Sequence, residues 1–134
     1  MNYKLFTDGG SRGNPGHAAI GFVCQSSDGI TEFEGNRYIG TNTNNYAEYM
    51  AIIAGLQACL LKDIKNVECF LDSELVVKQL KGEYKQKNES LKPLFDKVKE
   101  LVKKFSSITF THVPRNQNKR ADVLVNEALD EAGY

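Results

Sequence analysis

The chain has little of what marks several common protein classes. Its 134 residues hold three cysteines, Cys24, Cys59 and Cys69, odd in number, far apart and without a CxxC pair. That spacing argues against a disulfide framework or a zinc site and leaves three reduced core thiols as the expectation. No run approaches the roughly 18 consecutive apolar residues of a membrane span. The opening Met1-Asn2-Tyr3-Lys4 lacks the basic and apolar blocks of a secretory signal. An intracellular, cytoplasmic protein with no membrane partner is expected. Neither sign of charge is in excess, because 17 Lys and Arg balance 17 Asp and Glu. Nucleic-acid binders usually carry a basic excess. The balance therefore fits such a function only if acids are concentrated at one site and bases lie elsewhere. Lysines do gather in the third quarter, at Lys81, Lys85, Lys87, Lys92, Lys97, Lys99, Lys103 and Lys104. Zero net charge carries no oligomer signal, and a monomer is the default expectation.

What is present fits one soluble α/β domain spanning 1–134, with 41% hydrophobic and 25% charged residues. Tyr3 to Thr7 reads as a strand ending at Asp8-Gly9-Gly10, and Gly9 to Gly16 as a tight glycine-rich loop. Ala18 to Gln25 and Ile30 to Ile39 read as antiparallel strands joined at Ser27-Asp28-Gly29. Tyr46 to Leu61 is apolar nearly all round apart from Glu48 and Gln57, which predicts a helix buried on most sides. Val67 to Leu71 predicts a strand, and Ser73 to Leu80 a short helix stopped by Gly82. Ser90 to Phe105 repeats apolar residues at i, i+3 and i+4 with lysines outside, the pattern of an amphipathic helix. Ile108 to Val113 predicts a fifth strand, and Asn118 to Ala132 a last helix with Ala121, Leu124, Val125, Ala128 and Leu129 on one stripe. The order βββαβααβα implies a five-stranded mixed sheet with helices packed on it.

Four acids stand out by position. Asp8 and Asp72 each close an apolar strand, and Glu48 and Asp122 each lie early in a helix. Singly, each has an ordinary explanation. Asp8 suits a turn, and Asp72 suits a helix N-cap. Glu48 suits the third position of a helix capped by Asn45, and Asp122 suits the positive end of a helix dipole. Together they suggest more, because sites on open sheets form beyond the carboxyl ends of parallel strands. Four converging carboxylates would repel one another, and divalent cations would relieve the repulsion. An all-oxygen ligand set suits Mg²⁺ or Mn²⁺, and such ions on carboxylates are the apparatus of two-metal phosphoryl chemistry.

The motifs around these acids carry a family resemblance. Thr7-Asp8-Gly9-Gly10-Ser11-Arg12-Gly13-Asn14-Pro15-Gly16 resembles the first motif of type 1 ribonuclease H (ribonuclease HI). Thr43-Asn44-Asn45-Tyr46-Ala47-Glu48-Tyr49-Met50-Ala51 resembles the second and Leu71-Asp72-Ser73 the third. His112-Val113-Pro114-Arg115-Asn116 through Ala121-Asp122, with Leu124 and Asn126, resembles the fourth. The match runs through nearly the whole chain, and the His-Val-Pro-Arg-Asn form is similar to the compact archaeal-like and prokaryotic branch. The resemblance implies a ribonuclease H-like fold and endonucleolytic hydrolysis of the RNA strand of RNA–DNA hybrids. Products would carry 5′-phosphate and 3′-hydroxyl ends, with a role in removing RNA primers and R-loops. It further implies two Mg²⁺ or Mn²⁺ ions. Asp8 would bridge both, Asp122 would help hold the ion that activates water, and Glu48 and Asp72 would hold the ion at the leaving group. Gly9, Arg12, Asn14, Thr43, Asn44, Asn45 and Ser73 fall at positions that imply substrate contact, with amides and hydroxyls suited to reading 2′-hydroxyls across a wide minor groove.

An accessory group is open between two residues. His112 lies ten before Asp122, the spacing of a family histidine linked to proton transfer or product release, but it also alternates in phase with Ile108 and Phe110, which would make it simply the cap of a core face, with no role in the site. Arg115, on the loop before the last helix, is the competitor. His17 carries no signal beyond starting a strand. Two departures matter. Gly82 to Ser90 is short, has no tryptophan and holds only Lys85 and Lys87, where some members carry a basic protrusion, and no appended hybrid-binding domain is expected. Both predict weak, salt-sensitive binding. Two alternatives of other classes are a non-catalytic binding module of the same fold, which predicts loss of an acid, and a resolvase- or exonuclease-like relative, which the Asn-rich second motif disfavours.

Overall fold

The computed structural model describes residues 2–134. Strands β1 (Tyr3–Gly13), β2 (Gly16–Gln25) and β3 (Thr31–Asn42) form a meander, followed by helix α1 (Asn44–Leu61), strand β4 (Asn66–Leu71) and helices α2 (Glu74–Leu80) and α3 (Lys92–Val102). Strand β5 (Ser107–His112), a 3₁₀ turn (Arg115–Gln117) and helix α4 (Lys119–Glu131) complete the chain. The sheet order is β3-β2-β1-β4-β5, with β1–β4 and β4–β5 parallel and the other pairs antiparallel. The predicted element order and mixed sheet are therefore present, with the 3₁₀ turn as an addition.

The two faces are covered by different helices. On one, Leu5, Cys24 and Cys69 of the sheet pack with Tyr49, Ile52 and Leu56 of α1, Val76 and Leu80 of α2, and Val98 and Leu101 of α3. All three cysteines are buried and free there. On the other, Val125, Ala128 and Leu129 of α4 seat on Ala19 of β2. That is the stripe expected from the helical period.

Four expectations need correction. Gly9 to Gly16 is not a loop, because β1 runs on to Gly13 and pairs with β2 through Gly9↔Ile20, Gly10↔Ala19, Ser11↔Ala18 and Arg12↔His17, which leaves only Asn14-Pro15 to turn the chain. The glycines suggest a turn, but Gly9 serves close packing, as does Gly21 in β2. A Cβ on Gly9 would lie 2.2 Å from the backbone of Ala47 in α1, and one on Gly21 would lie 2.6 Å from the carbonyl oxygen of Ala121 in α4. Helices on both faces thus approach the sheet where it has no side chain. Second, the cap of α1 is Thr43, whose hydroxyl accepts from the Tyr46 amide at 3.2 Å. That places Glu48 beyond the capping-box position and Asn45 inside the helix. Third, Ser73 rather than Asp72 caps α2, its hydroxyl accepting from the Val76 amide at 3.3 Å. Fourth, α3 is shorter at both ends. Pro93 sits in its first turn, and past Val102 the amides of Lys104 and Phe105 return to carbonyls three residues back, a tighter turn than the α-helix allows.

The approach at Gly9 gives a direct test. Gly9→Ala should lower stability by about 1–3 kcal/mol, the usual cost of overpacking a site that cannot yield easily. The urea midpoint should fall with the slope unchanged. A variant with the wild-type midpoint would contradict the contact.

Candidate active site

β1 and β4 pair in parallel only from Tyr3↔Val67 to Phe6↔Phe70. Asp8 and Asp72 stand two residues past the last pair, at the mouth where the strands part. The Gly9 contact brings the start of α1, and with it Glu48, against this mouth. A fully buried Asn118 brings α4. Its Nδ2 donates to the Thr7 carbonyl at 2.9 Å, and its own carbonyl accepts from the Asp122 amide at 3.2 Å. The residue before Asp8 is thus tied to the turn of helix that carries Asp122.

Carboxylate oxygens of Asp8, Glu48 and Asp72 lie within 4.8 Å of one another. Asp122 joins them on the wall of a cleft of about 500 Å³ that also includes Arg12, Asn44, Arg115 and Asn126. Asp8 is 7% exposed and Glu48 6%, and Glu48 Oε2 is buried with no hydrogen-bond partner. Burial, with the charges of Asp72 and Asp122, pushes the Asp8 carboxyl up to about 7. Burial and then the charges of Asp8 and Asp72 hold Glu48 well above the usual carboxylate range. A buried, unpartnered carboxylate oxygen among other carboxylates is an expensive arrangement unless a cation completes it. The all-oxygen donor set fits a hard divalent ion.

Beside the acids lies a network of amides. Asn14 Oδ1 accepts from the Asn44 backbone amide at 3.0 Å, and Asn44 Oδ1 accepts from the Ser11 amide and hydroxyl at 2.9 and 3.0 Å. A backbone N–H can only donate, so these contacts fix which way both side chains face. The oxygens are occupied and the Nδ2 donors are left for other partners. Thr43 and Ser73 spend their hydroxyls as caps, and Asn45 is exposed on the first turn of α1.

The structure separates the two accessory candidates. Arg115 lines the cleft and donates to Asp122 Oδ1 at 3.3 Å. His112 is exposed and faces a different groove, with Glu74, Lys78 and Phe110. The expectation that it caps a core face is not met, because β5 is an edge strand. Arg12, read as a loop residue, lies on β1 and bonds to Asp130 and Asn126 of α4. His17 does lie at the start of β2, where its ring stacks on Tyr134 with centroids 3.5 Å apart and bonds to the Tyr38 hydroxyl. Sequence reasoning missed Ser11, Asn118, Asn126 and Asp130 as parts of this framework. Only α4 carried a usable signal, since Asn118, Asp122, Asn126 and Asp130 recur every four residues and so share a face.

Known proteins share this sequence pattern and fold. A family model described as reverse transcriptase-like matches residues 6–128. Ribonuclease HI of Halobacterium salinarum is 46% identical over 95% of the chain, which spans 64% of that protein, and a bifunctional protein of Mycobacterium tuberculosis is 40% identical over 98%, of which the chain spans 36%. The chain thus covers less than two thirds of either relative's length. The crystal structure of the Halobacterium enzyme superposes with a TM-score of 0.95 at 44% identity, covering 98% of this chain and 99% of that one. The LC11 ribonuclease H1, solved in complex with an RNA/DNA hybrid, superposes at 0.94 with 43% identity, covering 98% and 99%.

The raised carboxyls fix the sign of a pH effect. With the Asp8 folded value near 7 against an ordinary 3.8, the folded chain holds a proton that the unfolded chain releases. In EDTA this site is most favourable near the lower value and loses stability as pH rises toward 7. Asp8→Asn removes the charge, so its melting temperature should gain on the wild type across that window. At pH 8 the gain should reach about 3–5 °C for each kcal/mol relieved. A difference that does not change with pH would refute this account.

Proposed function

The chain belongs to the type 1 ribonuclease H family, and we propose that it hydrolyses the RNA strand of RNA–DNA hybrids endonucleolytically, leaving 5′-phosphate and 3′-hydroxyl ends. One observation carries the reading: Asp8, Glu48 and Asp72 converge within 4.8 Å in a cleft that Asp122 shares and that oriented amides flank. Two Mg²⁺ or Mn²⁺ ions held there would lower the pKa of a water nucleophile and neutralise charge building on the phosphate. The remaining work belongs to side chains. The Nδ2 donors of Asn14 and Asn44 suit acceptors on the minor-groove edge of a hybrid and on its 2′-hydroxyls. Gly9, Thr43, Asn45 and Ser73 complete the surface the substrate would meet.

Arg115 is our choice for the accessory group. A guanidinium stays charged throughout the working pH range, so it does not shuttle protons. Beside Asp122 it stabilises negative charge at the attacking side and releases the carboxylate when a cation takes it. The connection between α2 and α3 supports weak, salt-sensitive binding. Gln86 is tied inward to Tyr49 and Gln79 at 3.2 and 3.0 Å, leaving Tyr84, Lys85 and Lys87 as a short exposed rim. We place the protein in the cytoplasm, where three buried free thiols are at ease, acting as a monomer on primers and R-loops.

Labelled RNA–DNA hybrid, duplex DNA, duplex RNA and single strands, each with Mg²⁺, Mn²⁺ or EDTA, test the reading. Cleavage confined to the RNA strand of the hybrid and abolished by EDTA is expected. An inert wild-type protein would end the proposal. Asp8→Asn and Asp72→Asn should each lose about three orders of magnitude or more in rate, as expected when the charge-stabilising apparatus is broken. Arg115→Ala should lose about tenfold or more, whereas His112→Ala should stay within about twofold. The reverse ranking would return the accessory role to His112.

A further inference from the structure

We propose that Arg12 clamps a phosphodiester of the cleaved strand next to the scissile one, and that Asn126 and Asp130 are the residues that position it. The inference rests on the nuclease reading above and adds to it a strand contact and its support. It starts from the charges in the cleft. Among the described residues, four carboxylates line it and two cations, Arg12 and Arg115, share the wall. A polyanion entering this field needs fixed positive charge close by. Arg115 is engaged with Asp122 at the centre. Arg12 is held away from the acid cluster by Asp130 and Asn126, and its remaining N–H donors are available to a neighbouring phosphate.

Its placement is set by α4. Asp122, Asn126 and Asp130 are four residues apart and lie on one helical face, each about 6 Å further along the axis. Arg12 Nη1 donates to Asp130 Oδ1 at 2.8 Å, and Nη2 donates to Asn126 Oδ1 at 3.1 Å. Asn126 Nδ2 in turn donates to the backbone carbonyl of Asp122 at 3.0 Å. Both ends of the Asn126 amide are used, so its orientation is determined. The guanidinium is held about one to two helical turns from the acid that belongs to the reacting centre. That is too far to share the scissile phosphate and suits one beside it.

The chemistry selects a phosphodiester. Guanidinium has five N–H donors in a plane, and these contacts use two of them. The rest can pair with two phosphate oxygens at once, the geometry in which arginine exceeds lysine. As a fold staple the arrangement would be weak, because the Arg12 and Asp130 side chains are 37% and 69% exposed and such pairs contribute little to stability. Its effect is to hold a charge in place.

Steady-state cleavage of a defined hybrid with Mg²⁺, over a range of NaCl, tests the clamp. For Arg12→Ala, KM should rise about tenfold, the worth of one charge-assisted hydrogen-bonded contact, with a smaller effect on kcat. The slope of log(1/KM) against log salt should fall by about one. Arg12→Lys should restore that slope and recover KM in part. Asn126→Ala should raise KM by less, and the double variant should be no worse than Arg12→Ala alone, because Asn126 acts through the guanidinium. Wild-type KM and slope in Arg12→Ala, or additive losses in the double variant, would overturn the assignment. An inert wild type would instead defeat the nuclease reading, so the two failures are distinguishable.

Discussion

Mutual repulsion among carboxylates withdrawn from water is the constraint around which this structure is arranged. Asp8 and Glu48 are nearly buried, share a neighbour in Asp72, and keep one oxygen of Glu48 with no donor at all. Left alone, such a group would drift apart or take up protons. It is held because each acid is mounted on a different, independently packed element. β1 is the central strand, and β4 pairs with it only as far as Phe6 and Phe70. α1 is pressed against Gly9 so closely that no side chain fits between. α4 is seated on β2 at Gly21 and tied to Thr7 by Asn118. Apolar packing on the two faces of the sheet thus holds like charges together where β1 and β4 part, at a separation that a divalent cation can bridge.

The parts of this arrangement legible in the sequence are those with a period. The α4 stripe from Ala121 to Leu129, the alternation in the strands and the apolar α1 determine the element order and put Asp72 just past a strand and Glu48 and Asp122 early in helices, whereas Asp8, expected to close a strand, lies inside β1 where its pairing with β4 has ended. What sequence could not show is contact across long separations. Gly9 and Gly10 look like turn residues because glycine is common in turns, yet they lie within a paired strand, and the reason for Gly9 sits 38 residues on at Ala47. The cap expected at Asn45 stands two residues earlier, at Thr43, because Thr43, Asn44 and Asn45 are all good caps and local preference does not rank them in place. His112 and Arg115 were inseparable by spacing. They part only because β5 is an edge strand with His112 at its end, after which the 3₁₀ turn swings Arg115 back over the cleft. The Asn14–Asn44–Ser11 network depends on folding the first motif against the second, so the direction of each amide could not be read from either motif alone.

Charge distribution reconciles zero net charge with the proposed polyanionic substrate. The sum of 17 and 17 hides a segregation, with four acids drawn into one cleft and lysines spread over α3 and the α2–α3 connection. Not all of those lysines are solvated. Lys99 Nζ reaches the Leu80 carbonyl at 3.0 Å and lies over the Phe95 ring, holding the end of α2 against α3. At the cleft the cations are arginines. That choice follows from neighbours that would compete for or distort a flexible ammonium, whereas a planar guanidinium can be fixed by two side chains and still present donors outward.

Helix α4 links this electrostatics to geometry. Asp122 faces the cluster of acids, while Asn126 and Asp130, at successive turns on the same face, hold Arg12 of β1. The distance from Asp122 to the Arg12 guanidinium is therefore set by the rise of a packed helix, not by a loop. Loops change length readily, whereas a helix seated on Gly21, with Leu124 and Val125 buried beneath it, does not. Arg115 is the contrast, because it stands 77% exposed on a three-residue 3₁₀ turn and can follow Asp122 or leave it. For the proposed hydrolysis, a cation fixed by two side chains would keep the strand in register, and an exposed one beside Asp122 would meet the charge that builds and then disperses at the attacked phosphate.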